Sequence, residues 1–248
     1  AMNVNDLLCV GAEPLAMVDY LATQYIDPNV NRDISKGIYE GAKKANIAVI
    51  GGETATLPEV VQGINNRGFD LAGTAVGVVE KNKIITGEKI RENNVVLGFK
   101  SSGIHSNGLT LARKLLPKNM WVDILTPTKI YVTEVLELME DYSLLGIAHI
   151  TGSGMRNLLR VTDKGFYIDA MPKIPPIFRK IQELGAVSDL EMYKTFNMGV
   201  GLCIVVDEED GKNIIESYER DYSITRVGKV VSDPGVTIIE EGKEITLN

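Results

Sequence analysis

Apolar positions at helical spacing open the chain: residues 2–10 read as a helix that stops at Gly11, a favoured residue just past a helix end. Pro14 leads into an apolar run at 15–21 that predicts a strand. Ile34, Ile38, Ala42 and Ala45 share one helical face, so a helix is expected over about 33–45. Residues 47–50 predict a short buried strand ending in Gly51-Gly52-Glu53-Thr54, and residues 69–80 are β-rich.

A polar, turn-like stretch at 82–94 predicts a boundary between two domains, 1–85 and 86–248. Beyond it, residues 95–99 predict a strand that runs into a small-residue loop and then a helix carrying Leu111, Leu115 and Leu116. Thr126-Pro127 has the form of a cap followed by a first-turn proline, opening a helix that buries Val132, Val135, Leu136, Met139 and Tyr142. A helix is expected over 155–161, and another from Pro175-Pro176 to Gly185. Ser188 with Glu191 forms a capping box for the next. A strand over 200–206, a helix near 210–218, a strand near 225–231 and a hairpin turning at Glu241-Gly242 complete the pattern. The fold class is α+β, in two α+β domains.

Composition narrows the functions open to such a chain. Apolar residues make up 44% and charged residues 24% of the 248, a globular balance that argues against disorder. With 26 Lys+Arg against 33 Asp+Glu the net charge is −7, which disfavours a nucleic-acid partner. Backbone N–H groups can still hold the phosphate of a small molecule. Cys9 and Cys203 offer neither a disulfide framework nor a zinc spacing, and no run has the length of a membrane span. A cytoplasmic protein with no membrane partner is the expectation.

The strongest site signal is the loop of residues 101–108, SSGIHSNG, between a strand and a helix start. Such a loop can hold an anion on backbone N–H groups, with Ser101, Ser102 and Ser106 as hydroxyl donors and Gly103 and Gly108 allowing close approach. An ordinary capped turn is the plainer reading. His105 lies in this loop, and the positive potential of the helix start favours its neutral imidazole. The only other histidine, His149, precedes a second such loop, Thr151-Gly152-Ser153-Gly154. Glu53 is expected at a strand's carboxyl end, where it suits Mg²⁺ held against nucleotide phosphates; a surface turn is the alternative. For Asp6 the choice lies between metal ligand and solvated helix residue. No Ser-His-Asp order, His-x-x-x-His or cysteine cluster offers a nucleophile or a zinc site.

Eight segments then match one family in order: Asn3-Val4-Asn5-Asp6-Leu7, Gly11-Ala12-Glu13-Pro14-Leu15, Gly51-Gly52-Glu53-Thr54-Ala55, residues 73–80 (GTAVGVVE), 101–108 (SSGIHSNG), 127–132 (PTKIYV), 148–154 (AHITGSG) and 192–201 (MYKTFNMGVG). The whole chain resembles the aminoimidazole ribonucleotide synthetases, the phosphoribosylformylglycinamidine cyclo-ligases. The resemblance implies two α+β domains in a homodimer and ATP-dependent ring closure of formylglycinamidine ribonucleotide. It places His105 and Asn107 in the cleft where substrate and transferred phosphoryl group meet. It puts Asn5, Asp6, Glu53 and Thr54 on the ATP side, with Asp6 and Glu53 as Mg²⁺ ligands; K⁺ is a further expected ion. Two departures accompany it. The family carries a glycine-rich stretch and an acidic strand-loop ahead of the Asn-Asp motif, so an incomplete first domain is expected here. The family's Thr-Gly-Gly-Gly run has Ser153 at its third position, which would disturb the loop if that position needs positive φ. The alternatives are a fragment that binds the ribonucleotide without turning it over, or a related ATP-dependent enzyme of the same superfamily.

Overall fold

A computed structural model describes residues 1–247. The chain divides into two lobes: residues 1–84 with Ile130–Thr133 form the first, and residues 85–129 with those from Glu134 onward form the second. The return of Ile130–Thr133 to the first lobe is absent from the sequence reading, which kept 86–248 whole. Its anchor is local. Tyr131 is fully buried, and its N–H donates to the buried Asn5 Oδ1 at 3.1 Å.

The first lobe holds α1 (Met2–Leu8), β1 (Glu13–Thr23), α2 (Pro28–Ala45), β2 (Ala48–Thr56) and β3 (Phe69–Val78). Its sheet runs β2-β1-β3, with β2 parallel and β3 antiparallel to β1. Asp27 caps α2, accepting the Asn29 and Val30 N–H groups, and Pro28 fills the first turn. One face of the sheet carries both helices. Asn3 of α1 donates to the Gly73 carbonyl, while Asp19 and Val49 share a groove of about 590 Å³ with Ser35, Tyr39 and Lys43 of α2. The opposite face presents Val18, Tyr20 and Val76, which are 41%, 42% and 54% exposed.

Glu53 is the main correction in this lobe. It does not cap a strand end but lies inside β2, opposite Tyr20 on the uncovered face. The glycine pair continues the strand because it fits there: a Cβ on Gly52 would come within 2.5 Å of Asp19 Oδ1.

The second lobe is built on a seven-stranded sheet, from β4 (Val95–Lys100), β5 (Gly146–His149), β6 (Gly165–Ile168), β7 (Val200–Val206), β8 (Ile224–Val231), β9 (Val236–Glu240) and β10 (Lys243–Leu247). The order is β10-β9-β6-β8-β4-β7-β5, antiparallel except for β6 beside β9. Every residue of β7 is buried, as its unbroken apolar run requires of a strand covered on both faces. Around the sheet lie α3 (Leu109–Leu115), α4 (Trp121–Ile124), α5 (Val132–Asp141, whose first two residues belong to the first lobe), α6 (Pro176–Gly185), α7 (Asp189–Thr195) and α8 (Glu208–Tyr222). Ser188 caps α7 by accepting the Glu191 N–H, as the capping box predicts. The final hairpin turns on Glu241 and Gly242, both left-handed, the conformation a two-residue hairpin favours.

Two helix predictions change. Thr126-Pro127 opens nothing: Thr126 Oγ1 donates to the Asp123 carbonyl, and α5 starts only at Val132. The segment expected as a helix over 155–161 is a 3₁₀ stretch, Gly154–Arg160. The strands β5 and β6, four residues each, are too short to show a period of two and are absent from the sequence reading.

Candidate functional site

The two small-residue loops of the second lobe come together. A Cβ on Gly152 would lie 3.1 Å from Asn107 Oδ1, so the side chain of the first loop rests on the backbone of the second. Thr151 accepts a hydrogen bond from Asn157 Nδ2 at 3.0 Å. With that lone pair filled, the Thr151 hydroxyl hydrogen is left to donate elsewhere. Ser153 sits at φ −104°, so the departure from the family's glycine costs no strain. The positive φ of +54° falls on Gly154 instead, where a Cβ would strike the Tyr193 carbonyl at 1.9 Å.

In the first loop, His105 is 4% exposed at φ +58°, and its Nε2 accepts the Ser102 N–H at 3.1 Å. A neutral ring that accepts at Nε2 carries its hydrogen on Nδ1. Burial is the first cause holding its pKa down to about 4, followed by His149 and the Lys129 ammonium nearby. The sequence reading reached the neutral state through the helix dipole; desolvation is the stronger reason, and α3 spans only seven residues.

The serines divide. Ser102 Oγ donates to the Pro127 carbonyl at 2.6 Å, and Ser106 Oγ is paired with Thr128 Oγ1 at 2.9 Å. These two hydroxyls lace the loop to the segment 127–128 rather than standing open. Ser101 is 5% exposed, and its Oγ has no hydrogen-bond partner among the described residues. A buried hydroxyl left this way at a loop of this kind fits a ligand oxygen. Gly108, at φ +73°, starts α3, and the Phe196 ring occupies the space a Cβ would need.

Residues absent from the candidate set complete the site: Asn157, Asn197, Thr128 and Lys129. Lys129 reaches Glu134 at 3.2 Å and the Tyr222 carbonyl at 3.4 Å. The PTKIYV and MYKTFNMGVG segments carried the only signal for three of them; the sequence around Asn157 gave none.

In the first lobe Asn5 is fully buried, and its Oδ1 accepts the Tyr131 N–H. Asp6 is exposed on α1, and Glu53 Oε1 accepts the N–H of Thr54 at 2.9 Å. Helix α1 covers the sheet face opposite Glu53, so one chain does not gather Asp6 and Glu53 round one ion. Among the described residues, no three His, Cys, Asp or Glu side chains gather as a metal site.

Known proteins share this plan. Residues 1–79 match the AIR synthase related protein N-terminal domain and 91–241 its C-terminal domain. The chain is 52% identical to the phosphoribosylformylglycinamidine cyclo-ligase of Thermococcus kodakarensis, over 98% of this chain and 74% of that enzyme. It is 49% identical to that of Pyrococcus horikoshii, over 94% and 71%. The solved hydrogenase maturation protein HypE in complex with ATP shares the fold, with a TM-score of 0.77 at 16% identity over 100% of this chain and 76% of that one. By its two domains and its identity to these enzymes over nearly all its length, the chain belongs to the phosphoribosylformylglycinamidine cyclo-ligase family, ligases that form a carbon–nitrogen bond in purine biosynthesis.

Proposed function

We propose that this chain performs the ATP-dependent cyclisation of formylglycinamidine ribonucleotide to aminoimidazole ribonucleotide, with the two joined loops of the second lobe as its ribonucleotide site. The observation that carries the reading is the family identity across both lobes, together with the contact between Asn107 and Gly152. ATP phosphorylates the formamide oxygen; an amidine nitrogen then attacks that carbon and phosphate departs. Positioning and charge neutralisation carry such chemistry, so it needs no protein nucleophile. Neutral His105 and Asn107 orient the formamide, and Thr151 donates to phosphate oxygens beside the N–H groups of 103–108 and those of Gly152 and Ser153.

ATP use is supported by the same fold holding ATP in HypE. Mg²⁺ would arrive on the nucleotide phosphates, needing as few as one carboxylate from a protein chain, a role that either exposed Asp6 or exposed Glu53 suits. A symmetric homodimer through the uncovered face of Val18, Tyr20 and Val76 would bury those side chains and bring Glu53 to the interface. No helix of the described residues is long and apolar enough to cross a membrane. The biosynthetic role supports a cytoplasmic location. The test is product formation from ribonucleotide, ATP, Mg²⁺ and K⁺, with calorimetry of each substrate alongside. Turnover supports the reading. Binding of the ribonucleotide with no product would return the non-catalytic alternative, and turnover of a different substrate would replace it.

A further inference from the structure

The conformation of loop 101–108 is not set by the loop alone. The turn at 196–199 holds it at three places. The Ser101 N–H donates to the Gly199 carbonyl at 2.9 Å, the Gly103 carbonyl accepts from Asn197 Nδ2 at 2.9 Å, and the Phe196 ring fills the space beside Gly108. Asn197 is 2% exposed, and its Oδ1 in turn accepts the Gly199 N–H at 2.9 Å. Within that turn Met198 stands at φ +50° and Gly199 at +102°, so two residues in the left-handed region are closed by one amide side chain. Asn197 uses both ends of its amide, one to shape its own turn and the other to hold the neighbouring loop.

We propose that Asn197 is a positioning residue for ribonucleotide binding, acting through the Gly103–Ile104 peptide. The peptide is planar and trans, so its carbonyl and N–H point in opposite directions. With the Gly103 carbonyl bonded to a buried amide, the Ile104 N–H is aimed away from Asn197. Reversing that peptide would put a carbonyl oxygen where an anion-binding loop needs a donor, repelling a phosphoryl oxygen instead of holding it. Asparagine is required because the position must donate and accept at once; a carboxylate there would face the Gly103 carbonyl with a second acceptor. This inference rests on the second-lobe loops being the ribonucleotide site.

The test compares wild type with Asn197→Ser and Asn197→Asp, each at temperatures where circular dichroism shows it folded. Ile214→Ala, a buried change on α8 away from the loops, serves as a control for lost stability. The expected result is a rise of about tenfold to a hundredfold in the ribonucleotide KM and calorimetric Kd for the Asn197 variants. The ATP KM should stay within about twofold, and Ile214→Ala should move neither despite a lowered Tm. Unchanged ribonucleotide affinity in a folded Asn197 variant overturns the proposal. So does an equal change in Ile214→Ala, or failure of both Asn197 variants to fold, each of which makes the residue purely structural. A wild type that neither binds nor converts the ribonucleotide overturns the functional reading itself, and shows before any variant is compared.

Discussion

His105 carries a charge state that the fold imposes, and its consequences are measurable. Its folded pKa of about 4 lies below the ordinary 6.5, so between those values the unfolded chain binds a proton that the folded chain refuses. The stability this contributes is fully present above the ordinary value and is lost as pH falls towards 4. From pH 7 to pH 5 the loss amounts to about 2 kcal/mol. Urea midpoints at pH 5, 6 and 7 should show that slope in wild type and a shallower one in His105→Gln; equal slopes would reject the assignment. His105→Ala should also lower turnover by about a hundredfold if the ring orients the formamide. The glycines of the same loop separate by geometry. Gly108→Ala places a Cβ 2.1 Å from the Phe196 ring at positive φ, and should cost about 2–4 kcal/mol. Gly103→Ala meets nothing closer than 3.6 Å and should leave the urea midpoint nearly unmoved.

Among the elements, helices α2, α7 and α8 begin where a short side chain closes the first turn. Asp207 accepts the Asp210 N–H at 2.8 Å ahead of α8, whose first turn adds Glu208, Glu209 and Asp210 near the positive end of the dipole. Asp207→Ala should lower stability by about 1 kcal/mol in denaturant melts, and Asp207→Ser should recover most of it. A cost no larger for Ala than for Ser would show that the acidic turn, and not the cap, starts this helix. The loop 101–108 illustrates the opposite case. Its shape depends on the 127–128 and 196–199 segments rather than on capping within itself, because the Ser102 and Ser106 hydroxyls and the Gly103 carbonyl are bonded to distant residues.

For the whole molecule, the uncovered face of the first lobe is the surface on which the proposed homodimer would form. A stripe of valine and tyrosine over a three-stranded sheet is more apolar than a solvated sheet face ordinarily is. Light scattering at micromolar concentration should give the mass of two chains, and Val18→Lys with Tyr20→Lys should reduce it to one. A wild-type mass of a single chain would count against the homodimer. The substitutions lie on a solvent-facing surface of the lobe, so the variant should keep its circular dichroism spectrum.

What the sequence determined by itself is whatever its short-range chemistry could specify. The capping box at Ser188 and Glu191, the proline start of α6, the left-handed turn at Glu241-Gly242 and the unbroken apolar strand β7 depend on neighbours within a few residues. The eight ordered segments carried the family as well, since motif order survives in the chain without being folded. Tertiary structure decided the rest. Glu53 belongs to a strand interior because β1 offers Asp19 beside Gly52, and Thr126-Pro127 starts no helix because 127–128 is engaged by loop 101–108. Tyr131 joins the first lobe through Asn5, 126 positions away. His105 is neutral mainly through burial, and Asn197 shapes a loop 94 residues before it in the chain. Each of these turns on desolvation or on a hydrogen bond between distant segments, and neither leaves a periodic trace in the local sequence.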